Sequence, residues 1–169
     1  MPISLNVPVP GQVKRLAGEL EPDLYTFERV RRTHTLGVKR LGERTPTEYA
    51  RLVPQVREAI AGTPPFEARV AGIDAFEEPA RGDSPVVYLA VESPVLRELN
   101  GRLSETFEPI EGIDGEDYVP HVTLARGGTP EERERLADRG IEPVTWTVNE
   151  LVLWDATHEE VATRLSLPV

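Results

Sequence analysis

Two stretches of this chain set an imidazole beside hydroxyls in a β-rich run. In Pro120-His121-Val122-Thr123-Leu124-Ala125-Arg126, strand alternation puts His121 and Thr123 on one face and Val122 and Leu124 on the other. A proton-transfer group next to a neutral donor suits an oxyanion such as phosphate, which must be both held and protonated. Taken alone, the pattern fits equally well a half-buried strand whose polar face meets water. The second stretch, Arg31-Arg32-Thr33-His34-Thr35-Leu36 and on to Gly42, also reads as a strand beginning at a histidine. The chain has only 3 histidines, so two of them starting comparable strands carries weight. The third, His158, lies beside Glu159 and Glu160 at an expected hairpin tip and reads as a solvated turn residue.

Composition narrows the chemistry. With no cysteine, disulfides, thiolate catalysis and cysteine-ligated metals are excluded, which leaves histidine, hydroxyls and carboxylates. No metal site or cofactor is expected. A net charge of −10 argues against a surface that coats nucleic acid, because nonspecific affinity comes from basic groups that displace counterions. A local basic pocket remains open: Arg31, Arg32, Lys39 and Arg40 flank His34, and Arg126 follows His121. Lysine occurs only at Lys14 and Lys39, against 29 acidic residues, a balance that fits adaptation to concentrated salt and equally a GC-rich genome. No apolar run approaches membrane-spanning length and no basic, apolar leader opens the chain, so a cytoplasmic location without membrane association is the expectation.

The elements that must position these residues follow from periodicity. Ile3-Ser4-Leu5-Asn6-Val7 alternates as a strand, and Val13, Leu16, Ala17 and Leu20 recur at helical spacing. After the His34 strand, Thr45-Pro46-Thr47-Glu48 gives a cap, an early proline and an acidic first turn for a helix to about Ala61. Phe66 to Phe76 alternates as a longer strand, and Glu77 to Ser84 is a polar turn. The second half repeats this order: a strand from Val86, a helix from Pro94, the His121 strand, a short helix from Pro130, and strands to Leu167. Leu5-Asn6-Val7 corresponds to Leu89-Ala90-Val91, and Thr45-Pro46 to Thr129-Pro130. Such a duplication predicts one domain over residues 1–169, built of two lobes at about 1–80 and 81–169, related by a pseudo-twofold axis. Equivalent strands would then face each other and bring both histidines to one cleft.

These residues resemble the two-histidine phosphoesterases, among them the 2′-5′ RNA ligases and RNA 2′,3′-cyclic phosphodiesterases, whose mark is a pair of His-x-Thr/Ser motifs. Tyr118-Val119-Pro120-His121-Val122-Thr123-Leu124-Ala125-Arg126 is similar to a complete second motif. The resemblance implies an α+β fold of two duplicated lobes, with antiparallel sheets around a central groove and helices outside. It also implies metal-free acid–base chemistry on a phosphodiester: His34 and His121 as proton-transfer groups, and Thr123 donating to a nonbridging oxygen. Arg126, Arg40, Tyr118 and Thr35 are the implied substrate contacts. RNA ends or small cyclic nucleotides would be the substrates, hydrolysed or, in reverse, ligated, by a chain expected to be a monomer.

The first motif departs from the pattern, because threonine follows His34 by one residue rather than two. In a regular strand with His34 in the cleft, Thr35 points away and Leu36 takes the hydroxyl's place. Either a bulge beside His34 returns Thr35 to the cleft, or one hydroxyl contact is absent and the chain is a catalytically impaired nucleotide- or RNA-binding protein. Strand parity likewise sets Arg126 opposite to His121 unless the chain turns there.

Overall fold

The computed structural model describes residues Met1–Val169. The chain runs β1 (Pro2–Val7), α1 (Gly11–Leu20), β2 (Arg29–Val30), β3 (Leu36–Glu43), α2 (Pro46–Ala59), β4 (Phe66–Phe76) and β5 (Val86–Glu92). It continues with α3 (Pro94–Thr106), β6 (His121–Arg126), α4 (Pro130–Arg139), β7 (Val144–Val148), β8 (Glu150–Asp155) and β9 (Glu160–Ser166). The duplicated helix starts are built alike. At α2, Thr45 accepts from the Glu48 backbone while the Glu48 side chain accepts from the Thr45 backbone; Thr129 and Glu132 repeat the box at α4, each with proline in the first turn. Each box satisfies two otherwise orphaned donors at the helix start.

All nine strands join one antiparallel sheet in the order β7-β4-β5-β6-β3-β1-β8-β9, with β2 paired to β6. The order is symmetric about the β6/β3 seam: β5 answers β1, β4 answers β8, and β7 answers β9. The seam is narrow. Only Leu36 opposite Val122 registers β3 on β6, while β2 occupies the rest of that edge. The α+β, two-lobed, antiparallel architecture is therefore as the sequence implied, but the lobes do not divide near residue 80. β4 from the first half of the chain pairs with β5 and β7, and β8 from the second half pairs with β1. The β6 lobe borrows β4 from the first half of the chain, and the β3 lobe borrows β8 and β9 from the second. Periodicity reveals which face of a strand is buried but not which strand lies beside it, so this exchange had no signal.

One face of the sheet meets the helices. Leu5, Leu36, Leu89, Val122, Leu124 and Leu153 are 0–1% exposed. They share one apolar cluster with Val13 and Leu20 of α1, Leu52 and Val56 of α2, Leu96, Leu99 and Leu103 of α3, and Leu136 of α4. Each such side chain contributes about 1.5–3 kcal/mol on burial. Ser4 and Asn6 of β1, Thr35 just ahead of β3, and His121 and Thr123 of β6 line a groove on the other face.

Candidate active site

The groove holds about 510 Å³, a volume typical of small-ligand sites. From the second lobe β6 supplies His121 and Thr123, which face the groove between the buried Val122 and Leu124. Against β5 the register runs from Tyr88 opposite Thr123 to Val87 opposite Ala125, so Leu124 is an extra, bulged residue. The bulge reverses parity: Ala125 is buried and Arg126 returns to the groove beside His121 and Thr123, on the side that simple alternation denied it. Arg126 Nη1 donates to the carbonyls of Arg81 at 3.1 Å and Ser84 at 3.3 Å, which hold its guanidinium over the groove. The strand stops at Gly127 and Gly128, both at positive φ. A Cβ there would stand 2.7 Å from Glu28 and 2.5 Å from Phe27, so only glycine permits this turn into α4.

His121 is tightly framed. Its Nδ1 lies 2.6 Å from the Val119 carbonyl, an oxygen that can only accept, so Nδ1 carries the proton and Nε2 is left with its lone pair. Phe76 and Tyr88 stack on each other at 4.2 Å, and each meets the imidazole edge-on, at 5.1 and 5.3 Å. Burial lowers the pKa of His121 below its ordinary value; the Val119 carbonyl opposes this, and the charges of Arg40 and Arg31 add to it. Burial, helped by Asp74, pushes the Tyr88 phenol up to about 12, so it stays neutral beside the imidazole.

The first lobe is built differently, and here the sequence expectation is overturned. β3 starts at Leu36, not at His34. Leu36 is in the core at 0% exposure, and Thr33, Thr35 and Gly37, on the opposite parity, line the groove. His34 falls between the two threonines and is not among the groove residues. Burial lowers its pKa, opposed by the Arg31 carbonyl, and the further charges acting on it belong to Arg31, to Glu21 and to Lys14 of α1. Of the two histidines, His121 is the one among the residues lining the groove. Thr35 reaches the cleft without a bulge beside His34. The extra residues lie downstream instead: against β1 the register skips Val38 between Gly37 and Lys39, and Leu41 between Arg40 and Gly42. The stretch in phase with His121-Val122-Thr123-Leu124 is thus Thr33-His34-Thr35-Leu36, with threonine in the imidazole's position.

Arg40, as expected, lines the groove, and with Arg31, Arg81 and Arg126 it concentrates positive charge in an acidic protein. Desolvation, followed by the charges of Arg81, Arg126 and Arg31, lowers the pKa of Arg40, with Asp114 opposing. Lys39, by contrast, is structural. Its ammonium lies 2.7 Å from Asp114, both side chains are 1% exposed, and it also donates to the Arg40 and Glu108 carbonyls. Asn100 completes this buried network by donating to Asp114 and to the Val38 carbonyl at the bulge. Tyr118 lines the groove as well; it is 6% exposed, and its hydroxyl donates to the Gly37 carbonyl at 2.8 Å. That bond braces β3.

Ser4, Asn6, Phe76 and Arg81 line the groove without having been singled out from the sequence. For Ser4 and Asn6 a signal existed, two polar residues of equal parity in an otherwise apolar strand. Arg81 and Phe76 depend on how β4 and its following loop fold over β5. His158 sits at the exposed hairpin tip, where the Asp155 carboxylate, its Oδ2 2.7 Å from His158 Nδ1, raises the imidazole's pKa; Glu160 completes a group whose ligand atoms lie within 4.8 Å. Asp155 Oδ1 there accepts from the backbone of Thr157 and His158, which explains the cluster as a turn.

The profile of the 2'-5' RNA ligase superfamily matches residues 35–160. The chain belongs to that superfamily. It is 31% identical over 102 residues to the RNA 2',3'-cyclic phosphodiesterase of Methanothermobacter thermautotrophicus. That stretch is 60% of this chain and 54% of the relative, so the match spans about half the length of the curated protein. Among solved structures, TT0787 of Thermus thermophilus superposes with a TM-score of 0.69 at 23% identity, covering 99% of this chain and 98% of that one. E. coli LigT complexed with 3'-AMP superposes with a TM-score of 0.68 at 13% identity, over 100% of both chains. Superfamily likeness at these identities carries the fold. No helix is long and apolar enough to cross a membrane.

Proposed function

We propose that the groove binds the 2′,3′-cyclic phosphate of RNA ends or small nucleotides and opens the ring by hydrolysis, with His121 as its one proton-transfer imidazole. The observation that carries this reading is the pairing of a groove-facing, neutral-leaning His121, its Nε2 free, with Thr123, Arg40 and Arg126 around it. Membership of the superfamily and the name of the archaeal relative support the same substrate class. Nε2 takes a proton from the attacking water as a new P–O bond forms, and the Thr123 and Thr35 hydroxyls donate to the nonbridging oxygens, where charge develops. The guanidiniums of Arg40 and Arg126 offset the phosphate's charge. The P–O bond to one ribose oxygen breaks in line with the attack, and that oxygen takes its proton from solvent, since the first lobe offers hydroxyls there rather than an imidazole. One general acid–base group contributes about 10²–10⁴-fold, so the reaction is slower by that factor than with two.

A second reading has its own observation. With His34 outside the groove, the chain could hold phosphate ends without turning them over. Assaying cyclic 2′,3′-AMP hydrolysis alongside 3′-AMP binding separates the two. Turnover that His121→Ala abolishes supports the hydrolase, whereas tight 3′-AMP binding with no turnover in the parent protein leaves the binder.

A further inference from the structure

β1 brings to the groove a group that the reaction above does not use. Asn6 lies at the middle of the sheet, paired to β3 on one side and β8 on the other, and is 4% exposed. A buried amide costs stability unless its polar atoms are paired. Its oxygen accepts from the Ser4 hydroxyl at 2.8 Å. Its nitrogen, with two donors, has no partner in the protein. Nor is it sealed away: the fully buried side-chain atoms lacking a partner are Ser104 Oγ and Trp146 Nε1, so the Asn6 donors open toward the groove that Asn6 lines.

The register sets what those donors face. Asn6 is opposite Gly37, and Leu36 opposite Val122 puts Gly37 opposite His121, so His121, Gly37 and Asn6 form one row across the groove face. Neighbouring strands lie about 4.8 Å apart, which separates the backbones of His121 and Asn6 by roughly 10 Å. Between them is only the bare backbone of Gly37, whose carbonyl Tyr118 holds; a Cβ there would stand 3.8 Å from Asn6 Oδ1 and fill the gap. We propose that Asn6 is a substrate contact: its amide nitrogen, across Gly37 from His121, donates to an oxygen of the phosphate that His121 serves. A neutral amide on the lobe lacking an imidazole holds the phosphate without competing for the proton.

This rests on the reading that the groove takes a phosphate ester, so the test reads binding as well as turnover. Asn6→Ala, Asn6→Asp and Gly37→Ala are made in the full chain, thermal unfolding confirms the fold, and 3′-AMP binding is titrated beside cyclic 2′,3′-AMP hydrolysis. Asn6→Ala is expected to weaken 3′-AMP binding about 10- to 100-fold, the weight of a hydrogen bond to a charged group. Asn6→Asp keeps the shape and the Ser4 contact but sets a carboxylate against the phosphate, and should weaken binding further. Gly37→Ala, which leaves Asn6 in place, should also weaken it and serves if the Asn6 variants fail to fold. Folded Asn6 variants that bind 3′-AMP like the parent overturn the inference while leaving hydrolysis intact. A parent without turnover whose Asn6 variants lose 3′-AMP overturns the hydrolase and keeps the contact. A parent that does not bind 3′-AMP overturns both.

Discussion

The two halves of the groove descend from the same plan and differ by one residue of phase. In the second lobe His121-Val122-Thr123-Leu124 sends imidazole and hydroxyl to the cleft and two apolar side chains to the core. In the first, Thr33-His34-Thr35-Leu36 obeys the same alternation, but the histidine stands where Val122 stands, and hydroxyls take both cleft positions. What settles the phase is burial. Leu36 belongs to the core cluster, and a one-residue slip would bring Leu36 and Val38 out of it to gain a single polar contact. A motif is therefore read by which residues the core claims, before asking which residues chemistry would want.

The largest effect should come from the lobe that kept its imidazole. His121→Ala is expected to lower kcat/KM on cyclic 2′,3′-AMP about 10²–10⁴-fold, as measured by steady-state kinetics. Nearly as large, but in stability, is the loss of the Lys39–Asp114 pair, which pins the bulged β3 to the segment after α3. Lys39→Ala leaves Asp114 buried and unpaired, and chemical denaturation should read a loss of about 3–5 kcal/mol. Restoring the phase sharpens the comparison in the opposite direction. The double substitution Thr33→His with His34→Val returns an imidazole to the first-lobe position and should raise turnover, by at most the 10²–10⁴-fold that one added acid–base group supplies. An unchanged rate in a folded double variant would mean that the two lobes are not equivalent at Thr33.

The smallest effects are in pH dependence. Burial lowers the His121 pKa, and as a base it works unprotonated, so kcat/KM should be flat above the ordinary histidine value of about 6.5 and fall only as pH drops through a lower value. The sign for stability is the same. Between the unfolded pKa and the lower folded one the unfolded chain binds more protons, so His121 costs stability as the solution is acidified across that window. A profile that falls instead as pH rises would make His121 the acid.

Much of this was legible from residues alone. The helix starts at Thr45 and Thr129, the facing pairs His121/Thr123 and Val122/Leu124, and the doubled element order all follow from local rules of capping and alternation. Three features were not. The exchange of β4 and β8 between lobes is a matter of which strands become neighbours, and strand periodicity is silent on that. The bulges at Leu124, Val38 and Leu41 are defined only against a partner strand, so parity alone could not show that Arg126 turns back to the groove or that the extra residues of β3 lie downstream of His34. For Tyr118, nothing in its local sequence shows that its hydroxyl is committed to a carbonyl 81 residues away.

The inequality of the two histidines is tested most directly by comparing His34→Ala and His121→Ala for cyclic 2′,3′-AMP hydrolysis in one assay. With His34 outside the residues that line the groove, its alanine variant should stay within about twofold of the parent while His121→Ala loses about 10²–10⁴-fold. A comparable collapse in both variants, each still folded, would put two working imidazoles in the groove and contradict the phase assigned to the first lobe.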